Sequence, residues 1–405
     1  RYADREHLDA VLTADCGPAD GRVVYCVPLN AEDRTAIATV LTDDAQRSRP
    51  AVLAALPAET AEVKEHCQEL ACLHWIERNT PELDADATAR RELRARLSSV
   101  RQSLFENLGR VFMPSHEGTN RCRWFWRGKE VKLTSVRGLN ELLSNVCDDV
   151  YHHTPSWRNE LVNRREVSSS AAKARRNLIE AMIEHVAEEA LGIHGTPPER
   201  SMYDSLLRST GLHRRAGEKW AFCPPGRKAE DAMTAIWKAV GDFLHESEQG
   251  PLSVSQLFAL LGRAPFGLKD GVLPILLAVV LLHFDTEIAL YLEGTFVPVV
   301  STPIFERIIR SPEKFAVQRC RIAGPRAVVF DRYASMLSSG ASAVQQVKPK
   351  LLSIARPLFR LTTQLPEYVT KTQQLSGPAT NVLRAIKEAT QPDKLLFADL
   401  PAACG

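Results

Sequence analysis

Residues 252–315 read LSVSQLFALLGRAPFGLKDGVLPILLAVVLLHFDTEIALYLEGTFVPVVSTPIFERIIRSPEKF, the clearest supersecondary pattern in the chain. Ser253 is a helix N-cap ahead of apolar residues at helical spacing through Leu261. Asp270 precedes an apolar helix over 271–284. Two strand-like runs follow, 287–291 and 295–299, joined through Glu293-Gly294, a dipeptide suited to a tight hairpin. Pro303 opens another helix through Ile309, with Pro312 beyond it. Helix, helix, hairpin and helix are the ingredients of a winged-helix module. Its charges are mixed, with Arg263, Lys269, Arg307, Arg310 and Lys314 set among Asp270, Asp285, Glu287, Glu293, Glu306 and Glu313. A module that reads a nucleic-acid groove is clearly basic, because phosphate neutralisation supplies most of the affinity. The balance here favours a packing or protein-contact element.

Downstream, a strand-like run at 326–330 and helices around 343–361, 366–374 and 379–390 are expected. Residues 319–371 hold nine Lys and Arg against Asp331 and Glu367. Lys348, Lys350, Arg356 and Arg360 recur at helix-compatible spacing, so several can share one face. They are the candidate nucleic-acid-binding residues, with duplex DNA as the partner. The alternative is a solvated helix face.

Upstream, helices are expected at 229–246, 198–208, 170–191 and 138–151. A Ser among 168–170 caps the third of these and Gly192 ends it. Residues 213–228 form a loop or small hairpin. The segment RWFWRGKEVKL (123–133) signals a hairpin with a basic tip at Arg127-Gly128-Lys129. Its aromatics either stack on bases or, in the preferred reading, pack a sheet face onto the helices. Two charged amphipathic helices at 58–76 and 86–111, broken by Thr80-Pro81, form an antiparallel hairpin. Arg90, Arg91, Arg94 and Arg96 fall on its wet face. At the start, RVVYCVPL (22–29) and AVLAALP (51–57) flank a helix at 31–41. This strand–helix–strand unit favours parallel pairing and reads as the edge of an α/β domain whose remainder lies upstream.

The charge layout agrees with a division of labour. Residues 1–112 hold 14 Lys and Arg against 19 Asp and Glu, the remainder 37 against 30. That asymmetry points to an anionic partner for the later part. The most apolar run, 272–284, is too short to span a bilayer, and no signal peptide precedes the first polar residues. Nine cysteines without framework spacing fit free thiols in a reducing cytosol, so a cytoplasmic location is expected. The start at Arg1 and the end in LPAACG read as boundaries within a longer polypeptide.

Catalytic signatures are sparse. There is no GxxxxGK[ST], GxGxxG, HExxH, EF-hand loop or GxSxG; the nearest approach, GRAPFGLK at 262–269, lacks the Gly-Lys-Ser/Thr end. His66, Cys67, Cys72 and His74 share a helix at spacings that do not converge on one tetrahedral metal, so they read as helix residues. His152 and His153 beside Asp148 and Asp149 form the most enzyme-like cluster, for a metal-dependent hydrolase or nuclease. The alternative is a helix C-terminus, where the dipole favours His.

Several stretches together resemble a known family: NELVNRREVSSSAAKARRNLIEAM (159–182), PPERSMYDSLLRSTGLHR (197–214), PFGLKDGVLPILL (265–277), IALYLEGTFVPVV (288–300) and LLFADLPAACG (395–405). Over residues 20–405 the chain is similar to the region downstream of the nucleotide-binding core in large bacterial P-loop ATPases of phage-defence, BREX-like systems. The resemblance implies a cytoplasmic antiviral-defence ATPase that uses ATP and Mg²⁺ and works with DNA-modifying or DNA-cleaving subunits. Because the phosphate-binding loop is missing, no ATPase residue carries over, and no cofactor is expected in this chain.

The expected fold is mainly α and multi-domain. It comprises an α/β edge (1–57), a helical hairpin (58–112), a helical domain with small hairpins (113–250), a winged-helix-like module (251–318) and a basic helical region (319–405). The expected function is a non-catalytic regulatory region that contacts DNA or a partner subunit, with a pure protein scaffold and a hidden hydrolase as rivals.

Overall fold

Three parallel strands and an antiparallel pair make the first sheet of this mainly helical chain. The structure, a computed structural model, describes residues 2–17, 19–114, 121–164, 166–227, 229–320, 350–365 and 375–404. The chain divides into two compact units, Arg1–His152 and His153–Gly405.

In the first unit the elements run β1 (Tyr2–Ala3), α1 (Leu8–Thr13), β2 (Arg22–Cys26), α2 (Ala31–Thr42) and β3 (Val52–Pro57). They continue with α3 (Ala61–Asn79), α4 (Ala87–Phe112), β4 (Cys122–Trp126), β5 (Lys129–Val131) and α5 (Val136–Val150). Sheet order is β1-β2-β3-β4-β5, parallel through β3 and antiparallel after it. Side chains alternate across a strand, and here both faces are covered, which is why β3 is wholly apolar. Ala54 and Leu56 join Leu8 and Leu12 of α1 and Ile37 and Leu41 of α2. Leu53 and Ala55 point the other way, towards Leu139, Leu142 and Val146 of α5 and Phe112 of α4.

The strand–helix–strand reading of the N-terminal stretch holds, but its completion differs from the expectation. β1, β4 and β5 come from within the chain, and β4 pairs with β3 only after the α3–α4 insertion. A local reading cannot pair strands across so long an excursion. The RWFWRGKEVKL hairpin is therefore part of this sheet. Trp124 is buried at 1% exposure, and the Trp126 indole donates to the Pro50 carbonyl at 2.9 Å. Its tip turns through Arg127 (φ 52°) and Gly128 (φ 74°), and a Cβ on Gly128 would lie 2.9 Å from the Asp43 carbonyl. Glycine is required there on both counts.

The second unit opens with α6 (Ser169–Glu184), capped by Ser168, whose hydroxyl accepts from the Ala171 amide. The helix ends at Glu184, short of the expected 191. The chain reverses through left-handed Ala190 and Leu191, which become buried, and His185 bonds Glu188 at 2.8 Å. Then come α7 (Pro198–Met202), running on into a π-helical turn (Tyr203–Arg208), the hairpin β6 (His213–Ala216) and β7 (Lys219–Phe222), and α8 (Asp231–Glu246).

β8 (Leu252–Ser253), α9 (Val254–Gly262), α10 (Leu273–His283), β9 (Ile288–Leu292), β10 (Thr295–Phe296), α11 (Thr302–Arg310) and β11 (Phe315–Arg319) follow. Ser253 and Gln256 form a reciprocal capping box at the start of α9. Glu293 and Gly294, both at positive φ, make the tight β9–β10 turn. The second sheet has order β10-β9-β11-β8, all antiparallel; β11, unanticipated from sequence, lies between β9 and β8.

One face of this sheet, through Ile288, Leu290, Phe315 and Val317, joins the large core built from α6 to α11. The opposite face, through Ala289, Tyr291 and Phe296, is covered by α12 (Leu351–Gln364), α13 (Gly377–Glu388) and Leu395 and Leu396. The continuous apolar run IALYL is the sequence signature of that double coverage. The expected strand at 326–330, the helix at 366–374 and Lys348 lie outside the described residues. No described helix is long and apolar enough to cross a membrane.

Candidate functional site

The candidate phosphate-contacting cations sit where α12 docks on the second sheet. Lys350 Nζ donates to Glu287 Oε1 at 2.6 Å. Arg319 bonds Glu287 Oε2 through Nε at 3.1 Å and Nη2 at 2.8 Å. Burial alone would raise the Glu287 carboxyl. The hydrogen bonds and charges of Lys350 and Arg319 outweigh it and hold the group below the ordinary carboxylate range. Arg356, whose side chain is 13% exposed, pairs with Asp285 through Nη1. Arg360 is exposed and is also engaged. Of the four predicted residues, Lys350 and Arg356 are thus brought together by internal carboxylates at one end of β9. Sequence spacing found the shared helix. It could not find the partners, which lie more than sixty residues earlier.

Members of the His152–His153 cluster meet several different partners. Asp149 Oδ1 accepts from Arg127 at 3.0 Å, and His152 Nδ1 lies 3.2 Å from the Asp149 carbonyl at the end of α5. The His153 ring stacks on Phe266 at 6.1 Å between centroids. Among the described residues no group of three or more His, Cys, Asp or Glu is placed to hold a metal. His66 on α3 belongs to the hairpin seam and His74 is half-buried beside Arg101 of α4, whereas Cys67 and Cys72 are exposed.

That hairpin has its own geometry. On α4, Leu93, Leu97, Val100, Leu104, Asn107 and Val111 alternate by four and three, the spacing of a two-stranded coiled-coil seam. Val63, His66, Leu70 and Leu73 answer on α3 by the same rule. Asn107 is 2% exposed, receives a hydrogen bond from Arg110 and lies 3.4 Å from His66 Nδ1. A single buried Asn in such a seam fixes register at a cost in stability. Further along, Arg101 donates to His74 Nε2 at 3.1 Å while His74 Nδ1 faces Glu77 at 3.2 Å, and Arg96 bonds Glu69 across the helices. With the seam filled, two aromatics point outward: Trp75 is 64% exposed and Phe105 is 74% exposed. The sequence reading identified the hairpin but passed over these two. Their positions off the heptad seam were the available signal.

Two cavities stand out. One, of about 340 Å³, lies at the base of the hairpin, lined by Glu59, Thr60, Glu62, Asn107, Arg110 and Arg121. The other, of about 530 Å³, lies in the second unit among α6, α9, α10 and α11. No family model, curated protein or solved structure matches this chain.

Proposed function

We propose that this chain is a non-catalytic, partner-contacting region of a larger bacterial phage-defence ATPase, with the α3–α4 hairpin as its contact arm. The observation that carries the reading is the pair Trp75 and Phe105, exposed on helices whose mutual seam is already satisfied. Large aromatics presented on a rigid element are the side chains that dominate protein interfaces. The phage-defence setting rests on the sequence resemblance. In this reading ATP and Mg²⁺ act in the parent protein, outside these residues.

We read residues 251–318 as winged-helix-like, with α9, α10 and α11 as the three helices and β9-β10 as the hairpin. The helix that would enter a groove, α10, has nine of its eleven residues buried. That burial, together with the pairing of Lys350 and Arg356, favours a packing role over DNA reading. DNA contact keeps its support in the basic composition of residues 319–371 alone.

The test uses the parent protein assembled with its complex subunits. Trp75→Ala combined with Phe105→Ala should weaken subunit retention about tenfold or more, as loss of interface hot spots does. The isolated chain should keep its melting temperature. Unchanged retention with both aromatics removed would overturn the reading.

A further inference from the structure

The α3–α4 arm carries opposite charges on its two limbs. Residues 61–86, α3 and the turn beyond it, hold two Lys and Arg against seven Asp and Glu, whereas residues 87–112, α4, hold six against two. Part of this charge is used within the arm: Arg96 bonds Glu69, and Arg110 lies 3.7 Å from Glu62. At the outer end, where the chain turns from α3 to α4, it is not. Arg91 and Arg94 in the opening turns of α4 are exposed, as are Glu82 and Asp84 in the turn Pro81–Asp84. None of the four has an ion-pair partner among the described residues. Trp75 and Ile76, near the end of α3, are exposed on the same outer half of the arm.

A two-fold contact presents the same patch from both copies, so the patch must be complementary to itself. The outer end of the arm meets that condition, with free charges of both signs beside uncovered apolar side chains. Laying α4 against a second α4 would oppose like charges, whereas the acidic limb against the basic one satisfies both. We propose that the arm's partner is a second copy of this chain. Two arms pair about a two-fold axis at their outer ends, Glu82 and Asp84 of each facing Arg91 and Arg94 of the other. Trp75 and Ile76 supply the apolar part of the contact. The inference rests on the reading of the hairpin as a contact arm and names what that arm touches. The contact is small, so it forms at micromolar concentration, and its charges lie at the surface, so it weakens in salt.

The test is sedimentation equilibrium of the whole chain. At about 100 µM in low salt it should be mostly dimer, and at about 0.5 M salt it should revert towards monomer as the exposed pairs are screened. Arg91→Glu with Arg94→Glu, and separately Glu82→Lys with Asp84→Lys, should each raise the dissociation constant about tenfold or more, because a two-fold contact contains every substitution twice. An equimolar mixture of the two variants should associate again to within about threefold of the native chain, since each acidic patch then meets a basic one. Trp75→Ala in both variants should remove that recovery, which separates a docked contact from bulk charge attraction. Melting temperatures at about 1 µM, where the chain is monomeric, should match the native one, because all four charges are exposed. A native chain that stays monomeric at the higher concentration in low salt, variants that dimerise as it does, or a mixture that fails to recover would overturn the inference. A monomeric chain whose parent complex still loses subunits with Trp75→Ala and Phe105→Ala would spare the contact arm and sink the dimer alone. A charge-sensitive dimer with subunit retention unchanged would spare the dimer and sink the subunit contact.

Discussion

α4 and α12 look alike in sequence, both amphipathic and both carrying runs of basic residues, yet the fold uses them in opposite ways. On α4 the residues Arg90, Arg91 and Arg94 are exposed on a hairpin held together by its own seam. At α12 two basic residues meet carboxylates of the same chain instead: Lys350, just ahead of the helix, bonds Glu287, and Arg356 on it pairs with Asp285. The difference lies in what the opposite helix face must cover. α4 has only α3 to pack against along most of its length. α12 must bury Leu351, Leu352 and Ala355 on the second sheet, which brings its cations beside the acidic end of β9. A basic helix is thus a phosphate-binding candidate only after its acidic neighbours in space are known.

The largest effect that would sharpen this contrast is on the apolar contact. Leu352, fully buried, should cost about 2–5 kcal/mol when cut to Ala, as buried Leu truncations do, measured by denaturant unfolding. Next comes the charge. Arg356→Glu should destabilise by roughly 2 kcal/mol, because it sets two carboxylates together at a largely buried position. Reversal of Arg91 or Arg94 should stay within about 0.5 kcal/mol, as surface changes do. If the α4 reversals cost as much as Arg356→Glu, the contrast fails.

Glu287 extends the comparison to pH. Its carboxyl is held low in the folded state, so the stability it supplies is present above its unfolded value and is lost as pH falls through the folded one. Glu287→Gln should therefore flatten the acid side of the stability profile, below about pH 4.5. His213 gives a smaller effect in a different window. Burial lowers its pKa, despite its bond to the Val186 carbonyl. The folded protein therefore resists protonating it, and stability falls as pH drops below about 6.5, where the unfolded chain takes up the proton. His213→Phe should lessen that loss, read from melting temperatures between pH 7 and pH 5.

Much of the fold was legible in local sequence. The Ser253 cap, the Glu293-Gly294 turn, the Thr80-Pro81 break and the apolar periodicity of α3 and α4 each depend on neighbours within a turn or two. What escaped depends on distant pairing. β11 is a short mixed run whose strand character comes from lying between β9 and β8. β1 has two residues, too few for any periodicity. The end of α6 is set by the burial of Ala190 and Leu191, where a helix propensity gives way to packing. The candidate site was legible only as a charge pattern. Glu287 and Asp285 were visible as acids in the hairpin module, but nothing local shows that they meet Lys350 and Arg356.

The central proposal is that Lys350 and Arg356 act as ties within the chain rather than as phosphate contacts. It is tested most directly by the salt dependence of duplex-DNA retention, compared between the native chain and the Lys350→Gln, Arg356→Gln double variant. The account predicts the same slope of log affinity against log salt for both, with a lowered melting temperature for the variant. A slope reduced by about 2, close to the 0.9 expected for each lost phosphate contact, with the melting temperature unchanged, would contradict it.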